Sequence, residues 1–412
     1  MAARSPSQIL EEQLARIASR EPLVRAWSWH DPQQVRNQLA ALPADTSHLP
    51  LAGVTIGVKD IFDTEDMPTT YGSAAFAGHR PNRDAYAVAK LRAAGALIMG
   101  KTVTTEFAHQ HAGPTTNPHH IDRTPGGSSS GSAAAVADNM VTMALGSQTG
   151  GSTIRPAAFC GIVGFKPSHG KVSLEGVGPL SVTMDTIGLM ARSMADISLL
   201  SSVLIDGLAV VQAPARPRVA WYPSPEAHEA DADALRALER ARDVLQTAGV
   251  EIVDIDLPAK DFLALGLSNR LIMAYDAARS YESVYRTKDS ELGASTRTLI
   301  ETGLQITDEQ FAKELSHVKK CKELFARAML GVDAVLTLGA PGQAPLKSTG
   351  TGLSTFNRVW TTLGVPCITL PFGKGDAGMP LGVQFVGAYG QDSQLLALGT
   401  KFEQILARES SV

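Results

Sequence analysis

Apolar positions recur at helical spacing over residues 8–19 (Ile9, Leu10, Leu14, Ile17), with Ser7 placed to cap and Pro22 to stop an amphipathic opening helix. Residues 51–58 read as a short buried strand, 85–94 as a helix closed by Gly95, and 96–99 as a second strand. The same rhythm resumes with a helix at 195–205, a strand at 218–222, a helix at 231–247 closed by Gly249, and a strand at 250–255. A long charged helix is predicted over 308–330, strands over 334–338, 367–370 and 381–386, and a closing helix over 393–406. No repeat and no low-complexity linker divides the chain, so the pattern predicts one α/β unit of residues 1–412 with a mixed sheet. A weak composition shift near residues 214–217 is expected to mark a subdomain edge.

Composition narrows the function classes. With 44% apolar and 19% charged residues the chain has ample material for a core, and disorder is excluded. Lys+Arg 37 against Asp+Glu 41 leaves a formal charge of -4, which provides no basic field for a nucleic acid or an anionic membrane. The most apolar stretch, 197–211, is cut by Asp206 and is shorter than the ~18 residues a membrane span needs. Cys160, Cys321 and Cys367 form no CxxC pair and read as free thiols of a reducing compartment, so a cytoplasmic location is expected. Ten scattered histidines contain no HExxH, and no metal is expected.

The chemistry is concentrated between Gly126 and Ser152, where 27 residues hold six Gly and six Ser. Glycine lets backbone N–H groups converge on a ligand without a Cβ in the way, and convergent N–H groups make an anion or oxyanion site. A phosphate loop is excluded because no GxxxxGK[ST] is present. Gly127–Gly131 matches GxSxG with Ser129 at its centre, but the preceding residues 119–125 make a poor strand for a nucleophile elbow.

Three segments, GVKD (57–60), PGGSSSGSAAAV (125–136) and QTGGSTIRPAAFCG (148–161), resemble the amidase signature family in order and spacing. The likeness is strong over residues 50–200 and loose elsewhere, with 215–330 unrecognised and expected to supply the substrate-pocket wall. It implies a single α/β domain with a central mixed β-sheet covered by helices on both faces, a homodimer, and no cofactor. It also implies a Ser–cis-Ser–Lys catalytic set of Lys59, Ser128 and Ser152, with Ser152 as nucleophile and a cis Gly127–Ser128 peptide. The N–H groups of Thr149, Gly150, Gly151 and Ser152 would form the oxyanion hole.

That set is chemically sensible. A serine hydroxyl needs a base, and an exposed lysine at pKa ≈ 10.4 is neutral only about once in 2,500 at pH 7, a deficit of about 4.6 kcal/mol. Burial beside Val54, Ile56, Val58, Ile61 and Phe62 would remove much of it. Ser130 or Ser132 is expected to cap the helix that follows. Gln148 in place of the usual acid, and Arg155 three residues after Ser152, look like the malonamidase branch, whose members hydrolyse dicarboxylate half-amides. Arg155 inherits from it the role of holding a substrate carboxylate, with Ser129 and Gln148 as further candidate substrate contacts; the plainer readings of Arg155 are a structural ion pair or a packing residue at a helix N-terminus. Cys160 and Trp360 are expected in the core, and His119 and His120 in solvent. The substrate is thus expected to be a small amide. The alternative is a glutaminase subunit of a multi-protein amidotransferase.

Overall fold

The computed structural model describes residues 4–409. Its framework is an 11-stranded sheet whose strands, in chain order, are β1 (Trp27–His30), β2 (Thr55–Lys59), β3 (Leu97–Thr102), β4 (Met143–Gln148), β5 (Val163–Lys166), β6 (Thr186–Ala191), β7 (Arg218–Trp221), β8 (Glu251–Asp254), β9 (Ala334–Leu338), β10 (Cys367–Lys374) and β11 (Pro380–Val386). In space they run β1-β3-β2-β4-β6-β5-β10-β11-β9-β7-β8. Two parallel groups, β3-β2-β4 and β9-β7-β8, flank an antiparallel centre, so the sheet is mixed as expected.

Alternation along the strands explains why both faces are covered. Ile98, Met143 and Leu145 join one apolar cluster while Leu97, Met99 and Ala144 join another on the opposite side. A strand with no polar face can be stable only between two helical layers. The sheet also runs unbroken through residues 215–330, which contribute β7 and β8, so the composition shift near 214–217 marks no break in it.

Element positions differ from the sequence reading in informative ways. The first helix is Pro6–Val24, capped by Ser5 rather than Ser7, and Pro22 lies inside its last turns instead of ending it. The sequence reading omitted the 30-residue helix Ala259–Lys288. Its apolar periodicity is inverted locally: Leu263 and Leu267 face outward while Ser268, Asn269 and Asp276 are buried. Among the described residues no helix is long and apolar enough to cross a membrane.

Candidate active site

The parallel pair β2 and β4 brings two carboxyl-terminal strand ends to one edge, the place where open α/β sheets hold ligands. Lys59 is the last residue of β2 and is fully buried. Its Nζ lies 2.7 Å from Ser128 Oγ and 2.7 Å from Ser147 Oγ. Burial pushes the ammonium down to about 7, opposed by the charge of Asp185.

Ser128 precedes the helix Ser130–Ala137, and the Gly127–Ser128 peptide bond is cis. Gly131, in the first turn of that helix, lets it lie against its neighbours: a Cβ there would sit 2.2 Å from Ala26 O and 2.4 Å from Val103 N. The expected capping by Ser130 or Ser132 is not what these serines do. Ser130 donates back to Gly126 O and Ser132 donates to Leu145 O on β4, because both side chains face the protein rather than the helix's free N–H groups.

Beyond β4 the chain turns through Thr149-Gly150-Gly151-Ser152 into the short helix Ile154–Cys160. Among the described residues the N–H groups of Gly150, Gly151 and Ser152 donate to no acceptor, and all three residues line a cavity of about 810 Å³. Ser152 is 8% exposed there, and no hydrogen bond joins it to Ser128. Asp185 accepts from Thr149 Oγ1 and from the N–H groups of Leu180 and Ser181, bracing the same loop from below.

The structure brings Lys59 and Ser128 together, with Ser152, Gly150 and Gly151 at the cavity wall, but it separates the other candidates. Gln148 is fully buried and off the cavity: its Oε1 accepts from Thr153 N and Ile154 N and its Nε2 donates to Thr361 Oγ1. It is the polar cap of the helix after Ser152, which corrects its expected role as a substrate contact. Ser129 likewise is spent on Ser147, accepting from its N–H and donating to its carbonyl. Arg155 lines the cavity, yet it donates to Gly127 O and Gly352 O, each at 2.6 Å. Among the described residues it pairs with no carboxylate: its two terminal nitrogens are engaged by backbone carbonyls, and its buried Nε has no partner.

Cys160 and Trp360 are core residues, and His119 and His120 are exposed and away from the cavity, as expected. Sequence reasoning missed Ser147, a polar residue inside a buried apolar strand, and Asn269. Asn269 Nδ2 donates to Thr149 O at 3.0 Å and Thr362 Oγ1 at 3.1 Å from the helix that was not anticipated. It also missed His109, a cavity residue whose ring burial holds at about 4 and therefore neutral, and the cavity arginines Arg270 and Arg358. Among the described residues no group of His, Cys, Asp and Glu is arranged to hold a metal ion.

The family model for amidases matches residues 8–396. Among curated proteins, a glutamyl-tRNA(Gln) amidotransferase subunit from Acidobacterium capsulatum is 30% identical, over 88% of this chain and 87% of that protein. Its counterpart from Thermus thermophilus is 30% identical over 98% and 94%. Among solved structures, one described as an amidase is 32% identical with a TM-score of 0.88, covering 98% of this chain and 96% of that one. The peptide amidase from Stenotrophomonas maltophilia is 27% identical, with a TM-score of 0.83 over 98% and 94%. With the Gly/Ser loops, the buried lysine and these likenesses in view, the chain belongs to the amidase family and is a hydrolase of amide C–N bonds.

Proposed function

We propose that this chain cleaves a small carboxylic acid amide to acid and ammonia or amine through a Ser152 acyl-enzyme, with a dicarboxylate half-amide as the preferred substrate type. The observation that carries this reading is the 2.7 Å hydrogen bond between Lys59 Nζ and Ser128 Oγ, made by a lysine that burial brings to about 7. About half of such a lysine is neutral at pH 7, which removes nearly all of the roughly 4.6 kcal/mol an exposed lysine would face.

Ser152 Oγ attacks the amide carbonyl while its proton passes through Ser128 to Lys59. The oxyanion accepts from the unpaired N–H groups of Gly150, Gly151 and Ser152, each such donor contributing about 3 kcal/mol in comparable sites. Lys59 returns a proton through Ser128 to the leaving nitrogen, the C–N bond breaks, and water cleaves the ester by the same route. No step calls for a cofactor.

A second reading is favoured by the amidotransferase relatives: the same chemistry acting as a glutaminase, with the ammonia passed to a partner. Ammonia release by the purified chain alone from malonamate, a size-matched neutral amide and glutamine separates the two. The first reading expects turnover of a small amide without any partner, and a loss of at least a thousandfold in Lys59→Met and in Ser152→Ala with circular dichroism unchanged. Turnover of glutamine alone, appearing only after a co-purifying partner is added, would transfer the assignment to the second reading. Unaltered turnover in Lys59→Met would remove the lysine-base mechanism.

A further inference from the structure

The cavity that Ser152 lines also carries two guanidinium groups that form no ion pair among the described residues. Arg358 stands on the helix Thr355–Leu363 and Arg270 on the helix Ala259–Lys288, and these two helices pack against each other. Both arginines line the cavity, and among the described residues neither guanidinium makes a hydrogen bond or ion pair. Arg358 is close to the reacting centre: its Cγ lies 3.9 Å from where a Cβ on Gly150 would be. Burial and the like charge of Arg270 both disfavour its cationic form, while Glu226 and Glu229 offset this only in part.

Most of the acidic residues nearby have other work. Glu229 accepts from Thr355 Oγ1. Asp231 caps its helix through Ala234 N and accepts from Gln343 N. Glu226 faces both arginines without an ion pair to either: burial and the charge of Glu229 push its carboxyl toward the neutral form, and Arg358, Arg270 and His228 offset this only in part. Arg155, the residue the sequence offers for carboxylate binding, already has both of its terminal nitrogens on backbone carbonyls. Arg358 is half-buried whereas Arg270 is exposed to solvent, so Arg358 gains most from an anion in the cavity, and a guanidinium with a free edge can grip a carboxylate by two parallel hydrogen bonds.

We infer that Arg358, supported by Arg270, is the specificity-determining site for an anionic acyl group, and that it receives the distal carboxylate of the substrate while Arg155 is a strut. The inference rests on the amidohydrolase reading above and says which side chains select its substrate. With the carbonyl carbon at Ser152, the carboxylate at the end of a short acyl chain would reach Arg358 across the Gly150 loop.

The test is kcat/KM for succinamate against butyramide in the wild type, Arg358→Gln, Arg270→Gln and Arg155→Gln, with fluorophosphonate labelling of Ser152 to report an intact site. The wild type is expected to prefer succinamate by about a hundredfold or more, the scale of a charge-assisted pair. Arg358→Gln should bring that ratio below about ten, with the loss in KM, while Arg270→Gln lowers it less and Arg155→Gln retains it. If Arg358→Gln does not label, Arg358→Met, which keeps the packed stem, takes its place in the comparison. A preference that survives in the Arg358 variants and disappears in Arg155→Gln overturns the inference, as does a wild type that turns over both amides equally. In either case the Ser152 amidohydrolase chemistry stands, and equal turnover removes only its half-amide preference. Hydrolysis of neither amide instead overturns that reading and the inference with it.

Discussion

Ser147 Oγ accepts from Lys59 Nζ at 2.7 Å, so the buried lysine is held between two serines rather than one. The contact follows from the parallel register of β2 and β4, which sets Val58 opposite Leu145 and leaves Lys59 and Ser147 together at the strand ends. Ser147 touches no cavity surface and is therefore a positioning residue, fixing the direction in which Lys59 faces Ser128.

Removing that contact has a defined signature. An ammonium with three donors loses more from the loss of an acceptor than a neutral amine does, so Ser147→Ala shifts Lys59 further toward the neutral form. The expected result is a kcat lower by about tenfold through misplacement of Nζ, together with an acid limb of the pH profile displaced to lower pH. Ser147→Thr, which keeps the hydroxyl, should restore both. A slower enzyme with an unmoved acid limb would mean that Ser147 acts only on packing.

The pH profile of the wild type is set by the same lysine. Only neutral Lys59 can take the proton, so kcat/KM should fall about tenfold per unit below about pH 7 and level off above it. Asp185 favours the lysine's cation, and Asp185→Asn removes that charge while its amide oxygen can still accept from Leu180 N and Ser181 N. The acid limb should then move to lower pH, most visibly above about pH 6, where burial-raised Asp185 is ionised in the wild type. Steady-state rates between pH 5 and 9 for both proteins decide it; an upward displacement would contradict the assigned sign.

Arg155 supports a prediction about stability. It ties Gly127 O, on the loop before Ser128, to Gly352 O, on the cavity rim, and it is buried. Arg155→Met keeps the stem but leaves two carbonyls without their donor, which costs about 2–4 kcal/mol. Urea unfolding should show the midpoint fall with an unchanged m-value. A variant as stable as the parent would show that these bonds are replaced by water.

How far the sequence reached is visible in particular residues. Among the elements read from alternation and period, β9 and the helix Asp308–Ala328 came within two residues because a single face or a continuous apolar run dictates them, whereas the first helix and β2, β3 and β10 differ by three to five residues at one end. The Gly/Ser loops announced themselves because their composition has no structural economy otherwise. The helix carrying Asn269 and Arg270 was hidden, since a helix that lines a polar cavity buries polar residues and exposes leucines, the reverse of the signal being sought. Gln148 was expected as a substrate contact because it stands where the motif usually has an acid; only the turn of the backbone shows that its side chain points back to cap the next helix. Arg358 carried no local signal, as its importance depends on Arg270, far away in sequence.

The two glycines before Ser152 should respond differently to one added methyl group. A Cβ on Gly151 would lie 2.4 Å from Asn357 Oδ1 and 3.0 Å from Asn357 Cβ, and Asn357 is pinned by its own bond to Gly339 O, so the loop must move. On Gly150 the same methyl group meets nothing nearer than Ser354 Oγ at 3.5 Å, an ordinary contact, and projects beside Arg358 and Asn269. Gly151→Ala should therefore displace the unpaired N–H groups and lower kcat by about a hundredfold or more, the scale of losing one oxyanion donor. Gly150→Ala should leave kcat within about tenfold and act mainly on KM, because it narrows the cavity without moving the backbone. Steady-state kinetics on the two variants, with thermal unfolding to compare their stability, test the assignment. Equal losses of kcat in both would mean that the N–H groups are not held where the oxyanion forms.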